Sequence, residues 1–376
     1  MERREFAKKA VLGLATGGLA ACAGGEEAGG GAPAVQTGRR VMWRMVSSFP
    51  RGLDTIYGAS ETLAKRVEAL TDGRFQIRAY PAGELVPGLQ VLDAVQQGTV
   101  QAGHSASYYY TGKNPALAFD CAVPFGLTVR GHNAWLLHGG GLERMRELFS
   151  DFNVVNFPGG NTGTQMGGWF RRPVRSLADL RGLKMRIPGL GGEVMNRLGV
   201  SVQVLSGGDI YPALERGTID ATEWVGPYDD EKLGFQKVAK NYHYPGWWEP
   251  GPALSFYVNR RAWDTLPKGY QEAFEVASRE ASLDMMARYD ALNPPALARL
   301  VGQGVQVIPF PQDMMEAALQ QSTALFEEQA GADAAYRRIY DEWKKVRGET
   351  YRWFSTADQA YENFAFPRLA ARHGTG

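Results

Sequence analysis

Arg186 stands at the end of a predicted buried strand, where its side chain could bind a ligand. The segment 183–189 has the apolar pattern of a strand, and Pro188 with Gly189 ends it. A guanidinium at a strand end can hold a carboxylate through two parallel hydrogen bonds. The alternative is a salt bridge between two parts of the protein, and the sequence leaves both interpretations open.

Two further segments carry oxygen atoms that suit a metal ion. Glu223 and Trp224 end another predicted strand, and a carboxylate beside a backbone carbonyl is a donor set that hard cations accept. Gln165 adds an amide oxygen, and neighbouring Gly167 and Gly168 permit close approach of the chain. The alternative is an ion-paired or solvated Glu223 with Trp224 in the core.

An aromatic segment, 242–249, ends in Trp247, Trp248 and Glu249. Such aromatic density suits the wall of a small pocket better than exposure to water. Packing in the core is the alternative, and the sequence does not decide between the two.

Other chemistries find little support. Residues 103–107 have the first glycine and the serine of a nucleophile elbow, but Ser107 replaces the second glycine. His132 and His138 do not have the four-residue spacing of a zinc-protease helix. The glycine-rich segment 159–163 is neither a dinucleotide fingerprint nor a phosphate-binding loop. Nucleophilic catalysis, zinc and nucleotide binding are therefore disfavoured.

Length and composition indicate a globular protein of two domains. The chain has 376 residues, of which 44% are hydrophobic and 22% charged. It holds 41 Lys and Arg against 40 Asp and Glu; without residues 1–21 the balance is 37 against 38, or −1. No basic surplus remains, which argues against a nucleic-acid partner.

The amino terminus has the pattern of an export signal. Arg3 and Arg4 precede an apolar stretch, 11–21, that is too short to span a membrane. The paired arginines resemble a twin-arginine signal, and the residues before Cys22 resemble a bacterial lipobox. We therefore expect residues 1–21 to be an export signal, Cys22 to carry lipid, and the Gly- and Ala-rich segment 22–40 to be a flexible tether.

The rest of the chain alternates predicted strands and helices, which implies a mostly parallel sheet with helices on its faces. The first cycle predicts strands from Val41, at 75–80 and at 100–106, with helices at 54–70 and 89–95. A second cycle predicts strands at 153–157, 184–187, 202–205 and 220–225, with helices at 192–198 and 209–216.

Long helices are predicted in the last third of the chain. After a strand at 253–258, a helix at 267–292 is expected to end before Pro294 and Pro295. A strand at 305–308 follows, and Asp313 with Glu316 resembles a capping box. An apolar stripe from Met315 to Val346 then predicts a long helix toward Arg347, with Gly331 as its weak point.

Several motifs together resemble a known family. The segments 177–189 and 210–224 resemble the DctP-type extracytoplasmic solute receptors of tripartite ATP-independent periplasmic (TRAP) transporters, and the resemblance covers residues 41–370. Three other segments are similar to the 2-oxo acid and lactate receptors within that family: 161–170, 222–230 and 244–251.

The resemblance implies an α/β fold of two lobes with a cleft between them, like that of periplasmic binding proteins, and long carboxyl-terminal helices. Lobe I is expected to comprise 41–161 plus about 255–300. Lobe II is expected to comprise 162–254 plus about 301–311. The helical region 312–376 could exchange between the subunits of a homodimer, or pack within one chain.

The resemblance also implies roles for individual residues. Arg186 pairs with the ligand carboxylate, while Gln165, Glu223 and the Trp224 carbonyl hold a sodium or calcium ion that bridges to ligand oxygens. Tyr108 or Tyr109 contributes an aromatic wall. The predicted ligand-binding set also includes Gln165, Trp224, Asn161 and Trp248, and the predicted metal set also includes Glu249.

These expectations combine into one function. We expect a periplasmic, lipid-anchored receptor that captures a small 2-oxo or 2-hydroxy monocarboxylate and delivers it to a membrane permease, without catalysis. Membrane contact is expected only through the lipid anchor. The first alternative is an exported enzyme acting on a small carboxylate, since twin-arginine export often serves proteins that fold around a cofactor before transport. A surface adhesion or scaffold protein is the second alternative.

Overall fold

A computed structural model describes residues 39–370, which contain eleven strands in two sheets. The predicted export signal, Cys22 and most of the predicted tether lie outside the described residues. The strands are β1 (Val41–Ser47), β2 (Phe75–Tyr80), β3 (Ala102–Ser105), β4 (Val154–Asn161), β5 (Gly168–Phe170), β6 (Lys184–Arg186), β7 (Ser201–Gln203), β8 (Ala221–Thr222), β9 (Asn241–Tyr244), β10 (Ala253–Asn259) and β11 (Gln306–Pro309).

Each sheet contains one strand that runs against its neighbours. The first sheet has the order β2-β1-β3-β10-β4, and β10 is antiparallel to both β3 and β4. The second has the order β11-β9-β5-β8-β6-β7, and β5 is antiparallel to both β8 and β9. All other strands of each sheet run in one common direction, so the expectation of mostly parallel sheets is confirmed.

The crossings of the chain between the sheets explain these two strands. After β4 the chain leaves the first sheet, and the next strand, β5, belongs to the second sheet. β9 ends in the second sheet, and β10 returns to the first. A strand that enters at the edge where its neighbours end must run antiparallel to them.

Thirteen helices are present in the described residues, and they cover the sheets or form the carboxyl-terminal region. They are α1 (Gly58–Leu70), α2 (Val91–Gln96), α3 (Ala118–Cys121), α4 (Val129–His138), α5 (Gly141–Ser150), α6 (Gly189–Arg197), α7 (Gly207–Glu215), α8 (Pro227–Leu233), α9 (Arg260–Asp264), α10 (Lys268–Gly302), α11 (Gln312–Ala332), α12 (Ala334–Thr356) and α13 (Asp358–Ala370).

The helix α10 continues through the two prolines that were expected to end it. Its 35 residues include Pro294 and Pro295. Beyond them, Ala296 and Leu300 are fully buried, so the apolar stripe continues into the next turns. A proline inside a helix costs about 3 kcal/mol, and packing of this stripe offsets that cost.

The boundary between α11 and α12 differs from the sequence prediction. One helix with a weak point at Gly331 was expected, but the chain breaks at Asp333, whose carboxylate accepts hydrogen bonds from the N–H groups of Ala335 (2.7 Å) and Tyr336 (3.0 Å). The expected capping box is also wrong. α11 starts after Pro311, and Asp313 instead accepts a bond from the Leu177 N–H at 2.9 Å.

Short strands were the hardest elements to predict. The predicted strand 220–225 contains only Ala221–Thr222 in the sheet, because the chain turns away at Glu223. The short strands β5 and β9 were not predicted at all. Among residues 39–370, no helix is both long and apolar enough to cross a bilayer.

Candidate functional site

Four predicted site residues lie at one edge of the second sheet. β6 and β8 are parallel, and Arg186 pairs with Thr222 in the register, so Arg186 and Glu223 leave the sheet side by side. β5 is antiparallel to β8, so Gln165 precedes β5 at this same edge. β9 also ends here, and Glu249 follows it.

The first sheet presents its corresponding edge to the same space. Phe49 follows β1, and Tyr108 follows β3. Thr162 follows β4, whereas Leu254 begins the antiparallel β10. Ligands of open α/β sheets bind at the edge where the parallel strands end, and here two such edges contribute to one cavity.

The cavity is lined from both sheets and is nearly closed, with about 10 Å³ of room for a water-sized sphere. Five predicted site residues lie on its wall, namely Tyr108, Tyr109, Gln165, Arg186 and Trp224. Five lining residues were not predicted: Phe49, Ile56, Thr162, Val225 and Leu254. Four of these five are apolar, which gives the cavity one apolar wall beside its charged groups.

Arg186 is buried with one part of its guanidinium already bound. It is 1% exposed; Nη1 donates to Glu223 Oε1, and Nε donates to the Leu205 carbonyl at 3.1 Å. The guanidinium carbon lies 5.2 Å from the centre of the Trp224 ring, within cation–π distance. Among the described residues, Nη2 finds no hydrogen-bond acceptor. This nitrogen is a free donor at the cavity wall.

Two buried oxygens complement that donor. Gln165 Nε2 donates to the Thr162 hydroxyl at 3.2 Å, which orients the amide and leaves Gln165 Oε1 as an acceptor. Within residues 39–370, neither Gln165 Oε1 nor Glu223 Oε2 has a hydrogen-bond partner. Buried polar atoms are rarely left without a partner in native proteins. An oxygen-only pair of this kind fits sodium or calcium better than zinc.

Glu249 is a second buried carboxylate in this region. Its Oε2 accepts a 3.4 Å hydrogen bond from the Tyr108 hydroxyl. Burial raises the pKa of Glu249 well above its ordinary value, and the neighbouring Glu223 raises it further, while Arg186 acts to lower it. Burial likewise raises the pKa of Glu223 to about 7, against the opposing effect of Arg186. Two buried carboxyl groups therefore lie near a single arginine, and burial favours the protonated form of each.

The backbone ties the Gln165 and Glu249 segments together. The Gln165 N–H donates to the Glu249 carbonyl at 3.3 Å, and the Gly246 N–H donates to the Gln165 carbonyl at 2.9 Å. A Cβ atom at Gly246 would lie 2.7 Å from the carbonyl oxygens of Gln165 and Met166. Only glycine permits this approach, which fixes the position of two oxygen-bearing side chains.

Two predicted ligand-binding residues have other contacts. The Asn161 amide donates to the Gly251 carbonyl at 3.1 Å, and its oxygen accepts from the Gly163 N–H at 2.9 Å. Trp248 packs against Trp247 and Phe310, with ring centres 4.9 and 5.8 Å apart. Asn161 thus shapes the loop after β4, and Trp248 packs behind the cavity.

The unpredicted lining residues carried weak sequence signals. Phe49 and Thr162 each follow a strand of the first sheet. Their position after a strand was the only sequence feature that could have predicted them as cavity residues. Leu254 carried none, because its position depends on β10 running antiparallel. No cluster of three His, Cys, Asp or Glu side chains suited to a metal occurs in residues 39–370, so a cation here needs amide and carbonyl oxygens as well.

Comparison with known proteins now identifies the family. Residues 46–332 match the family model DctP, described as bacterial extracellular solute-binding protein, family 7. The chain belongs to the DctP family. Members of this family are periplasmic solute-binding proteins of TRAP transporters, and the two-sheet fold with long carboxyl-terminal helices agrees with that membership. The resemblance derived from the sequence is confirmed.

Similar proteins are known for this DctP-family chain. It is 55% identical over 366 residues to a monocarboxylate 2-oxoacid-binding periplasmic protein from Nostoc sp., covering 97% of this chain and 99% of that protein. A TRAP solute-binding protein from Bordetella bronchiseptica, a mixed-occupancy dimer with copurified calcium and picolinate, is 50% identical, with a TM-score of 0.88 over 89% of this chain and 99% of that one. A Pseudoalteromonas atlantica TRAP protein with bound sodium and pyruvate is 40% identical, with a TM-score of 0.84 over 87% of this chain and 99% of that one.

The buried Arg186–Glu223 pair predicts a large stability effect. Glu223→Gln removes the charge partner of a buried guanidinium, so we expect the free energy of unfolding to fall by about 3 kcal/mol, measured by urea denaturation without ligand. Glu280→Gln is the control, since Glu280 forms an exposed 2.7 Å pair with Arg66 and should cost less than about 1 kcal/mol. Equal effects of the two substitutions would contradict the assignment of a stabilising buried pair.

Proposed function

We propose that this protein is a TRAP receptor that binds a small 2-oxo or 2-hydroxy monocarboxylate together with a cation. The main support is a set of unpartnered buried atoms: the donor Arg186 Nη2 and the acceptor Gln165 Oε1 belong to residues that line the cavity, and the acceptor Glu223 Oε2 belongs to the carboxylate paired with Arg186. A ligand carboxylate would complete the hydrogen bonds of Arg186. A cation held by Gln165, Glu223 and the Trp224 carbonyl would serve as counter-charge for the ligand oxygens.

The charges of the cavity favour a ligand with one carboxylate. Arg186 is its single arginine, and Glu223 and Glu249 lie nearby. A second ligand carboxylate would meet these glutamates or the apolar side chains of Phe49 and Leu254. Desolvating an unpaired charge against either surface is costly. The 2-oxoacid specificity named for the Nostoc relative agrees with this assignment.

The protonation state of Glu249 determines which cation balances these charges. With Arg186 paired to the ligand carboxylate, Glu223 and Glu249 leave two negative charges, which one calcium ion would neutralise. Sodium would leave one charge unbalanced unless Glu249 carried a proton. Calcium in the Bordetella structure and sodium in the Pseudoalteromonas structure show that relatives use both ions.

Ligand capture would bring two lobes together. We assign 41–161 plus about 255–300 to lobe I and 162–254 plus about 301–311 to lobe II, because the first and second sheets draw their strands almost entirely from these segments. Since both sheets line the cavity, a bound ligand and cation would contact both lobes and favour their closure.

We further propose that the receptor acts outside the cytoplasm, held by lipid on Cys22 after removal of residues 1–21, and passes its ligand to a membrane permease. The tether 22–40 would give the folded part freedom to reach that partner. No catalytic step is assigned. Turnover of a small carboxylate by the purified protein would instead favour the exported enzyme.

We also propose that two copies associate through the end of the carboxyl-terminal helices. The first half of α12 packs within the chain, since Tyr336, Tyr340 and Trp343 are buried. Farther on, several large apolar side chains are exposed: Trp353 (61%), Tyr361 (66%), Phe364 (63%) and Phe366 (60%). A concentration of large exposed aromatic side chains in one region is typical of an interface.

A thermal-shift panel tests the ligand assignment. A ligand that binds only the folded protein raises its melting temperature, so pyruvate and longer 2-oxo acids should do so with calcium or sodium and not with a chelator. Succinate and glucose should have no effect.

Arg186→Lys keeps the positive charge but loses the planar fork of donors, and we expect at least a tenfold loss of pyruvate affinity by calorimetry. Arg66→Ala, at an exposed position, is the control.

The outcomes of this panel separate the alternatives. Stabilisation only by dicarboxylates or sugars would retain a receptor and refute the ligand assignment. Unchanged pyruvate affinity in Arg186→Lys, with a native circular dichroism spectrum, would remove Arg186 from the binding site.

Glu249 should determine the preference between the two cations. In the presence of pyruvate, Glu249→Gln is expected to weaken calcium affinity at least tenfold and to change sodium affinity little, because one buried negative charge is lost. Burial raises the pKa of Glu249, so calcium binding must displace a proton from this carboxyl group. Calcium affinity should therefore increase from pH 6 to pH 8. Calcium titration followed by calorimetry measures both effects, and Glu280→Gln is the matched control.

The dimer proposal predicts a change in mass. Light scattering after size exclusion should give twice the chain mass for the mature protein and the single-chain mass for Phe364→Lys with Phe366→Lys. Val276→Lys, an exposed apolar position on α10, should remain dimeric. A monomeric parent protein would refute the proposal.

A further inference from the structure

A second concave surface lies at the opposite end of the second sheet. It is an open groove of about 800 Å³, against about 10 Å³ in the cavity around Arg186. Four arginines line it, with Pro173, Val174 and Leu183 between them. The arginines are Arg171, Arg172, Arg175 and Arg181. We call this surface the arginine groove.

The strand directions place the arginine groove away from the ligand cavity. Arg171 follows the end of β5, whereas Leu183 precedes β6 and Asp220 precedes β8. Arg186 and Glu223 lie at the other ends of β6 and β8. The groove and the cavity therefore occupy opposite edges of one sheet, and a partner in the groove would not compete with the ligand.

The carboxylates near the groove are bound to backbone groups. Asp179 accepts hydrogen bonds from the N–H groups of Arg175 (2.8 Å) and Ser176 (3.0 Å), which lower its pKa. Asp220 accepts from the Lys184 N–H at 3.0 Å. Within residues 39–370, none of the four arginines lies within 4.0 Å of a carboxylate oxygen.

The arginines differ in how firmly they are held. Arg171 donates to the carbonyl oxygens of Leu214 and Glu215 at the end of α7, which fixes one side of the groove. Arg172, Arg175 and Arg181 are exposed. Each guanidinium presents a fork of donors that matches a carboxylate. The groove therefore offers several carboxylate sites along one concave surface.

Shape and burial indicate the kind of partner. A single small anion is usually bound by a buried cation, but all four arginines of the groove are exposed. A bilayer is flat on this scale and cannot reach the floor of a concave groove, where Val174 is buried. An extended peptide can lie along such a floor and place alternate side chains toward its walls.

We propose that the arginine groove binds an acidic, extended segment of another protein. Several carboxylates of that segment would pair with Arg172, Arg175 and Arg181, and its backbone would lie over the apolar residues between the arginines. This proposal does not depend on the ligand assigned to the cavity.

Fluorescence anisotropy tests the proposal with a labelled ten-residue peptide of alternating Glu and Gly. The mature protein should bind this peptide, and the double variant Arg172→Glu with Arg175→Glu should bind it at least tenfold more weakly. Because exposed charges are screened by salt, affinity should fall between 50 and 300 mM NaCl. A peptide with Gln in place of Glu should bind weakly in every case.

Matched controls distinguish the groove from general charge effects. Arg337→Glu with Arg338→Glu makes the same charge change at two exposed arginines of α12, away from the arginine groove, and should leave peptide affinity unchanged. The groove variant should retain the melting temperature of the parent protein, which shows that it folds. Equal losses in both double variants, or no peptide binding by the parent protein, would overturn the proposal. Binding of the parent to vesicles with anionic lipid, lost in the groove variant while peptide affinity persists, would overturn it in favour of a membrane surface.

Discussion

The buried ion pair between Arg186 and Glu223 is the interaction on which the site depends. Both side chains are removed from water, so each needs the other to remain charged inside the protein. Their strands, β6 and β8, are parallel neighbours, and this register places the two side chains together. The pair uses Arg186 Nη1 and Glu223 Oε1, Leu205 accepts from Nε, and Arg186 Nη2 and Glu223 Oε2 stay free. A single contact thus stabilises the charges and orients the remaining atoms toward a ligand.

The chain reaches this arrangement by passing between two sheets. Two of its three crossings, from β4 to β5 and from β9 to β10, start at the edge that faces the cavity. They give each sheet one antiparallel strand and bring loops from both sheets to the same space. The first sheet contributes mainly apolar side chains, and the second contributes the charged groups. Recognition of a carboxylate and contact with the rest of the ligand are thereby divided between two parts of the fold.

The sequence predicted site residues best where the local apolar pattern alone determines the position of a residue in the fold. Arg186 and Glu223 stand at strand ends that the apolar pattern marks, and the structure brings them together. Leu254 was missed because its place in the cavity depends on strand direction, which is a property of the whole sheet. The continuation of α10 through Pro294 was missed for a related reason, since the packing that offsets the proline comes from residues distant in sequence. The orientation of Asn161 depends on a backbone carbonyl across the loop, which no spacing reveals.

Gly246 shows how far the requirements of the site extend. It has no functional group, yet the segments of Gln165 and Glu249 meet only because no side chain occupies this position. Any added atom would separate two oxygen donors while leaving every donor chemically intact. The tolerance of this site to mutation is therefore limited by available space as well as by chemistry, and a residue without a side chain belongs to the functional sequence as much as the arginine does.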